Sequence, residues 1–341
     1  MFLQKRVNLR INLRIIIIFI IFLPLSTKSQ STVIGPLTEN FVSWLIANGY
    51  EQDAFDRPDI GPSGSFGGKI NSAQQIQKEP VIFIHGTGDA ALHTQGPQAT
   101  GWTRSIQYFM EQNYTSAELY ATTWGDTWGT GNIFDGYNTM HTCSYLVDLR
   151  FSRNIFFGNK FLIFLRRFLE AILAYTGAPK VDIIAHSMGV VLARKVIKGG
   201  ELIATDGNCS LGIAGPNYGI CVCQLAQTVP AWCNALDGLY PGYTCEDQLL
   251  CGYTTSPCGE QVNYSAFLEK LNRNPSREAD YIFAFWSDTD EILLYKSLSW
   301  GKPTARIPGM NGRWVSDRLG HIAMKDYTEL RQFEAVTTHR V

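Results

Sequence analysis

Short, mainly apolar runs alternate along the chain with longer stretches in which apolar residues recur every three or four positions. Runs of the first kind lie at 81–84, 117–123, 181–185, 211–214 and 281–286, and read as strands buried on both faces. Stretches of the second kind cover 37–47, 102–112, 161–175 and the segment after Ser187, with a closing helix over 322–333. Strand and helix taking turns predicts an α/β fold, a mainly parallel sheet with helices on both faces. Asn48-Gly49 ends the first helix, and the polar, glycine-rich stretch 56–69 reads as a loop. No internal repeat or low-complexity tract breaks this order. Residues 30–341 therefore read as one domain, with a cysteine-rich insertion at about 218–260.

The first 29 residues stand apart. Lys5, Arg6, Arg10 and Arg14 precede eleven apolar residues at 15–25, followed by the small or polar Ser26-Thr-Lys-Ser29. A basic end, a short apolar centre and small residues at a cleavage point predict a secretory signal peptide. Eleven residues are too few for a permanent anchor, since a spanning helix needs about 20. Cleavage removes five cations (those four and Lys28) and no acid, which shifts the net charge from −1 to −6. With no Lys/Arg run elsewhere, nucleic acid is excluded as a partner. Arg166-Arg167 sits in an apolar helix, and the expectation is that both arginines turn outward.

Candidate chemistry begins at Val181-Asp-Ile-Ile-Ala-His-Ser187-Met-Gly-Val190, where one serine separates a strand pattern from a helix pattern. A sharp strand-to-helix turn exposes the serine oxygen, and it requires small residues two positions before and after. Ala185 and Gly189 meet that need, although glycine is usual at the first. About a hundred positions upstream, Val81-Ile-Phe-Ile-His-Gly-Thr-Gly88 runs from a strand into a small-residue turn. Acyl transfer needs N–H donors waiting for an oxyanion, one from the residue after the nucleophile and one from such a loop. Met188 and Thr87 fill those positions, with Gly86 shaping the turn and His85 holding it by a hydrogen bond.

A serine nucleophile needs an imidazole to take its proton and a carboxylate to orient that imidazole. Among six histidines only His321 and His339 follow the strand at 281–286. His321 lies in a turn before the closing helix, whereas His339 reads as a frayed tail. Asp288 and Asp290, in the loop after that strand, compete as the acid.

Four stretches, Val81-Ile-Phe-Ile-His-Gly-Thr-Gly-Asp89, Asp182-Ile-Ile-Ala-His-Ser-Met-Gly189, Ser287-Asp-Thr-Asp-Glu-Ile-Leu293 and Gly320-His-Ile322, together resemble the class 2 lipases. These are secreted lipases and esterases on a compact α/β-hydrolase fold. The resemblance runs from about residue 75 to 335. It makes Ala185 ordinary and selects Asp290, the acid two residues before an Ile. It implies Ser187 as nucleophile, His321 as base, Asp290 as orienting acid, and Thr87 with Met188 as oxyanion donors. The implied activity is cleavage of lipid carboxylic esters, chiefly acylglycerols, with no cofactor. A soluble-ester carboxylesterase, an acyltransferase and a non-catalytic secreted lipid-binding protein are the alternatives.

Eight cysteines, seven of them between Cys209 and Cys258, form an even set compatible with four disulfides in an exported chain. Cys221-Val-Cys223 is the best argument for zinc, but no Cys-x-x-Cys or nearby histidine supports it. Asn113, Asn208 and Asn263 each begin an Asn-x-Ser/Thr glycosylation pattern. The insertion carries Tyr218, Trp232, Tyr240, Tyr243 and Tyr253, aromatics suited either to a lid at a lipid surface or to inward packing.

Overall fold

The computed structural model describes residues 33–96, 98–127, 160–198, 207–225, 231–236, 238–243, 251–252 and 262–341. The segment 1–29 expected as a signal peptide, together with Cys143, Cys245, Tyr253 and Cys258, lies outside them.

Helix α1 (Glu39–Ala47) comes first, capped by the Thr38 hydroxyl, which accepts the Phe41 N–H at 3.3 Å. Strands β1 (Ser65–Phe66) and β2 (Val81–Ile84), helix α2 (Thr103–Glu111) and strand β3 (Leu119–Thr122) follow. Then come α3 (Lys160–Thr176), β4 (Val181–His186), α4 (Met188–Lys198), β5 (Gly207–Ile213) and the short α5 (Val222–Leu225). The chain closes with α6 (Ala266–Arg273), β6 (Tyr281–Ser287), the β7 (Leu298–Ser299) and β8 (Lys302–Pro303) ribbon, β9 (Gly312–Ser316), α7 (His321–Asp326) and α8 (Glu329–Thr338).

Seven described strands form one sheet in the order β1-β3-β2-β4-β5-β6-β9. Only β1 runs antiparallel, against β3. The others are parallel, as β4 shows between its neighbours, with Ile84 opposite Ala185 and Ala185 opposite Gly212. Every residue of β2 and β4 is buried, because helices cover both faces of a parallel sheet. Successive contacts link α1 to α3, α3 to α4 and α4 to α6, while α2 packs on α8.

Several expectations need correction. The stretch 56–69 is more than a loop: Ser65 and Phe66 are buried in β1, and the Ser65 hydroxyl accepts the Leu37 N–H at 3.0 Å. A two-residue strand carries too little alternation to be read in sequence. The closing helix is two helices, α7 and α8, broken at Tyr327-Thr328, where the Thr328 hydroxyl donates back to the Met324 carbonyl at 2.6 Å. His339 is no frayed tail, since its ring stacks on Tyr281 at 3.9 Å.

Four disulfides do not form. Cys221–Cys251 and Cys223–Cys233 are bonded, which occupies the sulfurs of the zinc candidate, but Cys209 is a free thiol buried in β5. Its Sγ donates to the Ala335 carbonyl at 3.4 Å. Arg166 and Arg167 lie at the helix flank as expected, paired with Glu170 at 2.5 Å and Asp53 at 2.8 Å. Within the insertion Tyr218 is buried and Trp232 and Tyr240 pack against the core, whereas Tyr243 is exposed. Among the described residues no helix is long and apolar enough to cross a membrane.

Candidate active site

Ser187 is the single residue between β4 and α4, and its φ of 54° puts a side-chain-bearing residue in the left-handed region. Two backbone bonds hold it there. Its N–H donates to Ile213 O at 2.8 Å, and its carbonyl accepts the Val190 N–H at 3.0 Å. The end of β2 passes so near that a Cβ on Gly189 would lie 2.3 Å from His85 O and 2.9 Å from Ile84 O. A Cβ on Gly86 would lie 2.8 Å from the Ser187 Cβ. The elbow therefore touches the Thr87 loop, and the Thr87 hydroxyl donates to the Met188 sulfur at 3.4 Å.

His85 is fully buried and stacks on Trp124 at 4.9 Å. Its Nε2 accepts the Trp124 N–H at 3.1 Å, so Nδ1 carries the proton and donates to Gly86 O at 2.6 Å. Burial pushes its pKa down to about 4, which keeps the ring neutral. His85 thus braces the loop, as its position in sequence suggested.

At the far ends of β6 and β9, His321 and Asp290 meet. His321 Nδ1 lies 2.7 Å from Asp290 Oδ2, with both side chains buried. A carboxylate accepts, so Nδ1 is the donor. The other oxygen of Asp290 accepts the N–H groups of Ile292 at 2.9 Å and Leu293 at 2.7 Å, which aims the carboxylate. Asp288 is exposed and directed elsewhere, with its backbone N–H on Ser316 O at 2.8 Å. Of the two acids, Asp290 is the one bonded to the His321 ring.

Strand β4 and helix α7 touch through His186, whose ring lies 4.7 Å from that of His321. His186 Nε2 is 3.1 Å from the His321 carbonyl, which can only accept, so Nε2 carries a proton. Burial, then the neighbouring His321 and Lys325, hold its pKa well below the usual histidine range. Its Nδ1 is buried without a hydrogen-bond partner in the described structure. Among the described residues no cluster of histidine, cysteine or acid side chains is arranged to hold a metal ion.

The family model described as Lipase (class 2) matches residues 78–334. The chain belongs to the class 2 lipase family. It therefore sits within a family of carboxylic ester hydrolases, and its architecture is the α/β-hydrolase fold. Similar solved structures include Aspergillus fumigatus lipase B, 12% identical over 73% of this chain and 49% of that one, with a TM-score of 0.42. Bacillus licheniformis lipase BlEst2 in its propeptide form is 12% identical over 82% and 55%, with a TM-score of 0.47. An S-formylglutathione hydrolase from Agrobacterium tumefaciens is 12% identical over 75% and 82%, with a TM-score of 0.42. This class 2 lipase spans about half the length of the first two.

Three supports of the site escaped the sequence reading. Glu291 accepts the His321 N–H at 2.8 Å, His186 donates to its carbonyl, and Lys325 pairs with Asp89 at 2.6 Å. Glu291 was findable as the acid beside Asp290. Lys325, four positions after His321 on one helix, gives no apolar signal of its burial.

Proposed function

We propose that this class 2 lipase is a secreted serine hydrolase that cleaves carboxylic esters of lipids, chiefly acylglycerols, through an acyl-enzyme. The observation that carries the reading is the buried 2.7 Å bond from His321 to Asp290, together with a serine held in a left-handed turn. In this scheme Ser187 Oγ attacks the ester carbonyl and its proton passes to His321 Nε2. The carbonyl oxygen becomes an oxyanion facing the N–H groups of Thr87 and Met188. Collapse breaks the C–O bond to the glycerol side, and His321 returns the proton to that alkoxide. Water, deprotonated by the same nitrogen, then attacks the acyl-serine, and as the acyl–oxygen bond breaks His321 returns the proton to Ser187 Oγ and the fatty acid leaves. Asp290 holds the ring in the reactive tautomer and stabilises the imidazolium in both halves.

Residues 1–29 act as the export signal and 30–341 as one hydrolase domain in this reading. The two disulfides support an oxidising destination. Asn113 and Asn263 are exposed and open to glycosylation, while Asn208 is not: it lies in β5 with its amide on Glu79 at 3.0 Å.

The test is turnover of emulsified long-chain triacylglycerols against soluble short-chain esters, with and without an acceptor alcohol, for wild type and Ser187→Ala. Hydrolysis favouring emulsions, abolished in the variant along with fluorophosphonate labelling, is expected. Full activity in Ser187→Ala would remove the mechanism. A preference for soluble esters or for acyl transfer would replace the substrate assignment.

A further inference from the structure

Asp89 lies two residues after Thr87 in the loop that follows β2, and Lys325 lies on α7 one helical turn after His321. The two side chains meet out of water: Lys325 Nζ is 2.6 Å from Asp89 Oδ2, with side-chain exposures of 0% and 4%. The ammonium's other two protons are also placed, on Thr100 Oγ1 at 2.8 Å and Gly101 O at 2.6 Å. Asp89 Oδ1 in turn accepts the N–H groups of Ala90 at 2.9 Å and Gly101 at 2.8 Å. The Trp102 ring lies 5.5 Å below the ammonium. No strand connects these two regions, since the loop follows β2 and the helix follows β9, at the sheet's edge.

Burying such a pair is expensive, and an apolar contact of similar volume would join the two segments with less penalty. What the ion pair adds is direction. Three fixed acceptors around one ammonium define a point in space, where methylene packing tolerates sliding. We propose that Lys325 is a positioning residue, which through Asp89 holds the Thr87 loop at a set distance from the His321 helix so that oxyanion donor and base address the same carbonyl. The inference rests on the functional reading of Ser187, His321 and Thr87 above. Its consequence is confined to the transition state, because the ester's acyl chain and glycerol portion touch neither side chain in this scheme. Misplacement of a catalytic group by a fraction of an ångström to an ångström lowers the chemical step by about tenfold to a hundredfold.

The experiment compares the full chain as wild type, Lys325→Met and Lys325→Met/Asp89→Asn. The double variant removes the Asp89 charge stranded in the single one, while Asp326, 3.6 Å from Nζ in the wild type, stays in both variants. Concentrations are taken as active sites titrated to the end point with a fluorophosphonate, and folding is checked by circular dichroism and thermal melting. The expected result is a double variant that folds, with kcat per titrated site about tenfold or more below wild type and KM within about twofold. An alkylboronic acid, which forms a tetrahedral adduct on the serine, should lose affinity by the same factor as kcat. Unchanged kcat and boronate affinity per titrated site in the double variant would overturn the inference. So would failure of the double variant to fold, which assigns the pair to stability alone. Absence of labelling and turnover in the wild type would instead overturn the underlying functional reading.

Discussion

The carboxylate of Glu291 accepts the backbone N–H of His321 at 2.8 Å. His321 opens α7, and Gly320 before it has no side chain to cap the helix, so an exposed acid from the β6 loop takes that part. The side chain of Asp290 and the side chain of its neighbour thus grip the same residue, one at the ring and one at the backbone. Glu291→Ala is expected to lower stability by about 1 kcal/mol, the usual loss on removing such a cap. It should reduce kcat several-fold while Glu291→Gln keeps most of both. Thermal melts and steady-state kinetics check this, and wild-type values for Glu291→Ala would rule it out.

Asp290→Asn separates orientation from architecture. The amide oxygen still accepts the N–H groups of Ile292 and Leu293, so the loop should stand. Facing His321, however, the exchange favours the tautomer with the proton on Nε2, where it blocks attack. A fall in kcat on the order of 10³- to 10⁴-fold with near-native melting is expected. Equal loss of stability and activity would point to a structural acid only.

Gly189→Ala adds one methyl group at the tightest point of the elbow, 2.3 Å from His85 O and 2.9 Å from Ile84 O. Both obstacles are backbone of the strand end that leads into the Thr87 loop, so neither can swing aside. The variant should lose about 1–3 kcal/mol of stability and nearly all turnover. A melting temperature equal to wild type would show that the two segments are further apart than described.

Asp182 gives a pH-dependent prediction away from the site. Burial pushes its carboxyl up to about 8, with Glu79 adding repulsion and the Cys209 N–H, at 2.8 Å, acting against both. In the unfolded chain the group titrates near 3.9. Between those limits the folded state keeps a proton that the unfolded state has lost, so the stability present below the lower value is drained as pH rises towards the upper. Asp182→Asn keeps the acceptor and has no charge to lose. Its stability relative to wild type should climb between pH 5 and pH 8, by about 3 kcal/mol or more in total. Urea midpoints at the two pH values decide it, and a constant difference would contradict the raised pKa. Neutral His85 acts with the opposite slope, losing stability as pH falls from 6.5 towards 4, so only the comparison with the variant isolates Asp182.

Much of this was readable before any coordinates. The apolar runs at 81–84 and 281–286 became β2 and β6 because a strand buried on both faces has no polar residues to disguise it. Ser187 and His321 stood out because chemistry restricts which residue types serve, whereas only the family resemblance chose Asp290 over Asp288. Strand β9 was not foreseen, since Gly312, Arg313 and Trp314 carry no unbroken apolar run, and burial there alternates. The ties from Glu291, His186 and Lys325 were hidden for another reason. Each depends on which distant backbone atom a polar side chain happens to face, and no local pattern encodes that.

The bond from His186 to the His321 carbonyl spans 135 positions of chain, from the last residue of β4 to the first residue of the helix that follows β9. In the proposed mechanism the serine therefore depends on a base that arrives from the far edge of the sheet. A chain cut before α7 would carry the elbow without that base, and the mechanism predicts it to be inert towards esters.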